Sequence, residues 1–542
     1  MKRLVNNLAR QSNNNYNYER SSTMKHTELP NAHEYLKSYW IDSTDTTNYP
    51  SLQDDINVDV AIIGGGIVGI TAGYLLKNKG VNFAILEASQ IVQGTSAFTT
   101  AKVTSQHNLI YETIKNSSGI EHAKQYADAN QSSINFIEDT INLHKIECDF
   151  ERLPAYVYTN DDSYIKKIEN EAEIASSIGI EAKVTNSLPI NIPIKNALVF
   201  ENQAQFHPRK YLLALANYLS KECNCIFENT SVLDIEKGNS IVITTREGKK
   251  VTASKVIISS HFPCYDGLGL YLARLRPERS YIIAANIKEA FPNAMFISAE
   301  KPTRSLRYQN NKGKQLILIG GDGHKVAHGE NFSTHYSNLQ KFAQNTFKVE
   351  DFLYNWSAQD YITLDKIPYV GNLSLSDKNI FVASGFGKWG MTNGTASARI
   401  LVDKILSKNN PWEEVYNPSR SLTLRAYKNI VTENFDVAKE LVMGKLKGGE
   451  TKITLKIGEG KVVDIDGNKY GAYKDENEVL HLVDVTCTHL GCELKWNDAE
   501  KSWDCPCHGS RFSYDGEILE GPATHKLNHY KEGTNKIHPN FV

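Results

Sequence analysis

With 542 residues the chain has room for two or three domains and a large core, and its 41% hydrophobic and 23% charged content is that of an ordinary globular protein. A formal net charge of -2 with interspersed signs argues against a nucleic-acid or membrane-surface partner. Eight cysteines are too few for a secreted disulfide scaffold, and the longest apolar run, Val58 to Leu76, is broken by glycines and so reads as strand, turn and helix rather than a membrane span.

Residues 1–55 form an N-terminal extension. Its first 25 or so residues are polar and Asn-rich, a composition expected to be disordered, and Met24 is a candidate for the true start. Lys2 and Arg3 are not followed by an apolar segment, and no twin-arginine motif is present, so a cytoplasmic location is expected.

From Asp59 the chain reads Val-Ala-Ile-Ile, then Gly64-Gly65-Gly66-Ile67-Val68-Gly69, then an apolar helical run to Leu76. Four apolar residues suit a buried parallel strand. Gly64 permits the turn, Gly66 lets backbone approach a pyrophosphate, and Gly69 lets the helix pack on the strand. The phosphate then meets free N–H groups at the helix N-terminus. A second strand, Val81 to Leu86, ends at Glu87, whose carboxylate suits the ribose hydroxyls of an adenosine. These elements define a dinucleotide site but do not separate FAD from NAD. Further on, Gly94 to His107 is rich in small hydroxyl residues. Thr95, Ser96 and Thr100 are candidates for cofactor contacts there, and Lys102 is a candidate to reach the cofactor ring.

Val232 to Ile258 alternates apolar and polar residues in short strands, which fit an antiparallel substrate sheet, and Val232 is taken as a cofactor contact. Strand-rich stretches also cover Tyr281 to Asn286 and Leu316 to Ile319. Trp356-Ser357-Ala358-Gln359-Asp360 then leads through Asp365-Lys366-Ile367-Pro368-Tyr369-Val370-Gly371 to Asn379 and on to Gly385-Phe386-Gly387-Lys388-Trp389-Gly390-Met391. This run, with His207-Pro208-Arg209 and its following helix, resembles the D-amino-acid-oxidase family of FAD enzymes, which includes glycine and sarcosine oxidases. The resemblance spans about residues 56–408 and implies FAD, with Gly385, Gly387, Trp389, Gly390 and Met391 at the flavin. The spacing Gly385-x-Gly387-x-x-Gly390 formally repeats the dinucleotide pattern. Only one helix follows it, however, so it reads as a strand-to-helix turn whose positive end faces the flavin. On the substrate side His107, Arg279, Tyr281 and Arg307 are the catalytic or substrate-binding candidates. An arginine would clamp a substrate carboxylate, whereas His107 more often has a structural role. Cys223 and Cys225 read as structural, and Cys148 and Cys264 as packing residues.

Residues 409–449 read as a linker with a helical run from about Leu422 to Lys447, and 450–542 as a small strand-rich domain. This domain carries Cys487-Thr488-His489-Leu490-Gly491-Cys492 and Cys505-Pro506-Cys507-His508-Gly509-Ser510, which place four cysteines and two histidines within 24 residues. Structural zinc and a Rieske 2Fe-2S centre both draw on such ligands. Zinc sites pair cysteine with cysteine and histidine with histidine, whereas each knuckle here mixes the two. The spacing C-x-H-x15-C-x-x-H resembles the Rieske family. That resemblance implies Cys487 and Cys505 on one iron, His489 and His508 on the other, a Cys492–Cys507 disulfide, and Gly521-Pro522-Ala523 as the loop covering the cluster. Ser510 is retained but Phe512 stands where high-potential Rieske proteins have a tyrosine. Loss of a hydrogen bond to sulfur implies a lower potential, and Tyr514 would substitute only with a rearranged loop.

The expected fold is thus α/β: an FAD-binding Rossmann-like domain with an inserted α+β substrate domain, followed by a small all-β Rieske domain. The expected function is oxidation of a small amine or amino-acid-like substrate by FAD, with electrons passing through the cluster to a protein or quinone acceptor. Electron entry through the cluster, or a redox-sensing or docking module with little turnover, are the alternatives. A Rieske oxygenase is disfavoured for want of a two-histidine, one-carboxylate iron motif, and a pyridine-nucleotide reductase for want of a second Rossmann unit.

Overall fold

The computed structural model describes residues 38–221, 223–329, 331–420, 437, 440, 454–465 and 467–531. Met24, the Asn-rich start and all but two residues of the expected linker helix lie outside the described residues.

The run of apolar residues before the first glycines becomes β1 (Ile56–Ile63), buried along its last four residues. The helix α1 (Ile67–Lys77) follows, then β2 (Phe83–Leu86), parallel to β1 with Ile63 opposite Leu86. The chain crosses to a second sheet through β3 (Lys102–Val103) and returns as β4 (Lys250–Ile258), parallel to β1 with Ile63 opposite Ile258. The substrate sheet supplies β5 (Leu275–Ile287), β6 (Lys314–Lys325), the helix α2 (Ser333–Thr346) and β7 (Val349–Thr363). The chain comes back to the first sheet with β8 (Ile380–Ser384), parallel to β4, and closes on α3 (Gly390–Ile405).

The first sheet therefore has the core order β8-β4-β1-β2, parallel throughout, as expected of strands buried on both faces. One assignment is corrected. The strands Val232–Lys237 and Ile241–Thr245 do not belong to the substrate sheet. They form a hairpin whose second strand pairs antiparallel with the first half of β4. Their alternation reflects one covered face, and alternation alone does not say which sheet covers it.

The second sheet has nine strands and runs from β7, β5 and β6 at one edge to β3 at the other. Strand parity divides its residues. Ile282, Ala284, Trp356 and Ala358 pack with the dinucleotide domain, whereas Tyr281, Ile283 and Ile319 pack under α2 against Tyr336 and Leu339.

The C-terminal domain consists of two four-stranded antiparallel sheets, and Trp503 is fully buried in its core. Gly471 makes room for that ring, because a Cβ there would lie 2.5 Å from it. All of the described chain belongs to one compact unit, Ala32–Val542. Among the described residues no helix is long and apolar enough to cross a membrane.

Candidate functional site: a dinucleotide cradle facing a Cys/His cluster

At the end of β1 the chain turns through Gly64, whose φ of 108° is a conformation that side chains resist. A Cβ on Gly69 would sit 1.9 Å from the Gly64 carbonyl oxygen, so turn and helix interlock only with glycine there. The Ser96 hydroxyl accepts the Ile67 N–H at 3.1 Å and lies 3.3 Å from where a Gly66 Cβ would be. It therefore stands at the N-terminus of α1, where a phosphate is favoured. Glu87 accepts N–H groups from Gly65 at 2.8 Å and Ser89 at 3.0 Å, while burial raises its pKa. Its remaining lone pairs suit ribose hydroxyls. Val232 lies close by: two residues earlier, the Thr230 N–H bonds the Glu87 carbonyl at 2.8 Å. The Thr95 hydroxyl reaches the Gln359 carbonyl at 3.4 Å, and the Thr100 methyl packs 3.3 Å from the Cβ position of Gly320. Thr100 thus lies against the substrate sheet rather than beside Ser96.

The Gly385-x-Gly387-x-x-Gly390 run is a strand-to-helix turn between β8 and α3. Gly385 is required where it stands, since a Cβ would meet the Thr363 methyl at 2.3 Å. Trp389 caps α3, and its ring stacks on His107 at 4.9 Å, while Met391 is buried. His107 is corrected as a catalytic candidate. Its Nδ1 lies 2.6 Å from the Tyr126 hydroxyl and its Nε2 2.8 Å from the Thr104 carbonyl, so both nitrogens are engaged. Burial lowers its pKa to about 3, leaving a neutral structural imidazole. Lys102 points its ammonium into the substrate sheet, where it donates to the Phe296 carbonyl at 2.7 Å and the Ser305 hydroxyl at 2.5 Å. Burial, helped by Arg307, lowers its pKa to about 7.

In the C-terminal domain the two knuckles converge. Cys492 and Cys507 are bonded to each other, while Cys487 and Cys505 are free and buried. The sulfurs of Cys492, Cys505 and Cys507 lie within 4.8 Å of one another, but the disulfide leaves that trio a single thiol for a metal. Cys487 and Cys505 face each other across the site, joined by a side-chain hydrogen bond. A hydrogen bond from Cys505 favours the Cys487 thiolate, bringing it to about 7, and the Cys505 thiol is raised in turn. The His489 and His508 rings lie 5.2 Å apart, and both Nδ1 atoms are buried without a hydrogen-bond partner. Two orphaned imidazole nitrogens beside two free thiols are the donor set a Rieske cluster requires. Burial lowers His489 to about 4 and His508 to about 3, so both rings stay neutral, as ligands must be. Ser510 hydrogen-bonds Cys487 and accepts the Ala523 N–H at 3.0 Å, tying the covering loop to the cluster site. Phe512 is fully buried in the core, and Tyr514 packs on Tyr473 and His481.

The arginine assignments fail for a common reason: each guanidinium is already committed. Arg307 donates from Nε to the Tyr308 carbonyl, from Nη1 to the carbonyls of Thr100, Ala101 and Phe206, and from Nη2 to Gln309. It braces the sheet. Arg279, 1% exposed, faces the C-terminal domain, where it pairs with Glu500 at 3.0 Å and Glu520 at 2.8 Å and also reaches Ser357 and Gln359. Tyr281 shares that face, and its hydroxyl lies 3.0 Å from His324 Nε2 beneath α2. Arg511 completes the network with Glu500, Asp504 and Glu520. Burial alone would raise the pKa values of Asp504 and Glu520, but the two arginines hold them below the usual range.

Three residues not singled out from sequence, Tyr361, Gln359 and Phe262, join the domains, and His261 packs beside them. The Tyr361 hydroxyl donates to the carbonyl of His508 at 2.9 Å, and Gln359 Nε2 donates to the carbonyl of Gly509 at 2.8 Å. The Phe262 ring lies 6.3 Å from the His489 ring and 5.0 Å from Tyr361, and His261 lies 4.8 Å from Tyr361. Phe262 and His261 follow β4 on the loop that begins at Ser259, whose carbonyl abuts Gly64. One readable signal existed: Ser357, Gln359 and Tyr361 put polar side chains at every second position of the strand's buried second half.

A dinucleotide sheet with a parallel core, roofed by a mainly antiparallel sheet and joined to a Cys/His pair of knuckles, defines an FAD oxidoreductase carrying an iron-sulfur domain. Residues 59–404 match the family described as FAD dependent oxidoreductase (DAO), to which this chain belongs, and residues 451–531 match the Rieske [2Fe-2S] domain. The chain is 44% identical over 497 residues to the Rieske 2Fe-2S iron-sulfur protein YhfW of Bacillus subtilis (strain 168), covering 92% of this chain and 98% of that one. It is 22% identical over 390 residues to gamma-glutamylputrescine oxidoreductase of Escherichia coli (strain K12), covering 69% and 89%. Glycine oxidase from Geobacillus kaustophilus shares the fold, with a TM-score of 0.58 at 16% identity over 68% of this chain and all of that one. The protein is an FAD-dependent oxidoreductase with a Rieske domain, and its cofactors are FAD and a 2Fe-2S cluster.

Proposed function

We propose that this oxidoreductase removes two electrons from a small amine at the carbon beside nitrogen, and that they leave singly through the Rieske centre to an external protein or quinone acceptor. The observation that carries the reading is the contact of the cluster knuckles with both sheets of the flavin domain: Tyr361 on His508 and Gln359 on Gly509 from the substrate sheet, and Phe262 against His489 from the loop after β4. The FAD, when bound, accepts the substrate's two electrons, and the 2Fe-2S cluster carries one at a time. Gly64, Gly66, Gly69, Glu87 and Ser96 would hold the dinucleotide. The N-terminus of α3 would place its partial positive charge at the ring. Cys487, Cys505, His489 and His508 would hold the cluster. The oxidised product is an imine, formed with release of two protons and hydrolysed by water.

The substrate side favours an amine over a free amino acid. Within the described residues, every arginine of the nine-stranded sheet has partners: Arg152 with Glu138, Arg276 with Glu278, Arg304 with Asp322, and Arg279 and Arg307 as above. None is left as a fork for a substrate carboxylate. The relative that acts, by its name, on gamma-glutamylputrescine agrees with an amine substrate. The test is an anaerobic titration with primary and secondary amines, following flavin bleaching and the cluster's EPR signal together. Bleaching followed by the reduced-cluster signal supports the path. A cluster that dithionite reduces, beside a flavin that no amine bleaches, refutes it and favours electron entry at the cluster.

A further inference from the structure

We infer that Arg279 is a positioning residue that pins the Rieske domain in one orientation, so that electrons cross between flavin and cluster without any excursion of that domain. The inference rests on the reading that electrons cross between the two centres at all, and adds how the crossing is arranged.

Three features carry it. First, the pin is buried at both ends: Arg279 is 1% exposed and Glu500 3%, and Glu520 joins from the strand next to the covering loop. Separating the domains would break these ion pairs and open both ends of the pin to water. Second, the adjoining hydrogen bonds from β7 end on the cluster knuckle itself, at the carbonyls of His508 and Gly509. The fit leaves little slack: at Gly509, with φ of 78°, a Cβ would lie 2.7 Å from Gln359 and 2.8 Å from Pro277. Third, charge is matched across the seam. Arg279 and Arg511 alternate with Glu500, Asp504 and Glu520, so each arginine shares carboxylates with the other. A domain that undocked in each cycle would have to desolvate these groups again each time.

With FAD and the cluster bound, the pinned seam would serve transfer of two electrons one at a time, the external one-electron acceptor taking each in turn and the accompanying proton leaving to solvent.

The test uses the full-length holoenzyme, with the flavin photoreduced by a sacrificial donor so that no substrate is needed. Cluster reduction is followed by EPR across a glycerol series, and amide hydrogen exchange is read on the peptides around Tyr361 and His508. In the wild type the transfer rate is expected to be independent of viscosity. Arg279→Met should slow it by about tenfold or more and make it viscosity-dependent, because a small misplacement is costly. The cluster's EPR line shape should stay the same while both peptides exchange faster, and Arg279→Lys should recover part of the rate. Tyr361→Phe keeps the ring, loses the hydroxyl's bonds to the carbonyls of His508 and Gly521 and from Gln359, and should slow transfer less; it serves if Arg279→Met does not fold. A viscosity-dependent wild type overturns the pin, as does an Arg279→Met or Tyr361→Phe variant that transfers and exchanges like wild type. Failure of photoreduced wild-type flavin to reduce the cluster overturns the electron path itself, and the pin with it.

Discussion

Replacing Arg511 with methionine tests how much the buried charge network contributes to the Rieske domain. Its guanidinium serves Asp504 at 3.0 Å, Glu520 at 3.4 Å and Glu500, with side chains 1–2% exposed except Glu520 at 28%. Methionine fills similar volume but leaves Asp504 with only Asn497 and Ser502, and Glu500 with Arg279 and Tyr336. Breaking a buried pair on one side costs about 3–5 kcal/mol, because the surviving carboxylates stay desolvated. With a urea m-value of about 2 kcal/mol/M for a small domain, the midpoint should fall by about 2 M. The assay is urea unfolding read through the cluster's visible circular dichroism, with the flavin signal as an internal control for the other domain. Pairing the change with Asp504→Asn removes one stranded charge and should restore about 1–3 kcal/mol. A midpoint shift below about 0.5 M, or no restoration in the double variant, would refute the view that these charges hold the domain together.

Gly69→Ala should yield protein that retains almost no flavin, measured as the visible flavin absorbance per mole purified, since its Cβ would collide with the Gly64 carbonyl oxygen at 1.9 Å. The pair Asp504 and Glu520 stabilises the docked form at neutral pH. Their folded pKa values lie below the ordinary 3.8 and 4.5, so this stability is complete above those values and is lost as pH falls below them. Acid titration followed by hydrogen exchange at the seam should show opening only below about pH 4.5, and at higher pH in Arg511→Met. Lys102→Met should act in the opposite sense. The folded pKa is about 7 against an ordinary 10.5, so the buried lysine destabilises most below pH 7 and progressively less up to 10.5. The variant should therefore gain about 2–4 kcal/mol at pH 6, after the loss of two hydrogen bonds, and nothing near pH 10 by thermal unfolding. Ser510→Ala should lower the cluster's midpoint potential in a redox titration, because it removes the hydroxyl beside Cys487.

The parts of this molecule legible in the sequence are those whose chemistry is local. Gly64, Gly66 and Gly69 answer to a turn six residues long, and Cys487, His489, Cys505 and His508 to two short knuckles, so spacing alone carries their meaning. Arg279 was legible as a functional arginine but not as the residue it is. Its partners Glu500 and Glu520 lie more than 200 residues away, and nothing in the local pattern of β5 links the two segments. Parity misled as well: Arg279 and Tyr281 sit on the same face of β5, and alternation says that a face is covered without naming what covers it. The strands from Val232 to Thr245 went astray in the same way, since a hairpin beside a parallel sheet reads like one in an antiparallel sheet. Gln359 and Tyr361 lay inside the run that resembles the flavin family, where their role as a landing site for another domain is invisible without the fold.

The buried seam has a consequence for how this protein responds to its surroundings. Two proteins that exchange electrons by collision depend on dilution, and on salt when charge steers them together. Here the partner is covalently supplied and already seated, so its effective concentration is set by the chain rather than by the solution. The charges that hold it lie largely out of reach of mobile ions. Traffic between flavin and cluster should therefore be indifferent to ionic strength and to protein concentration over wide ranges. On the proposed path, sensitivity to salt would arise instead at the encounter with the external electron partner.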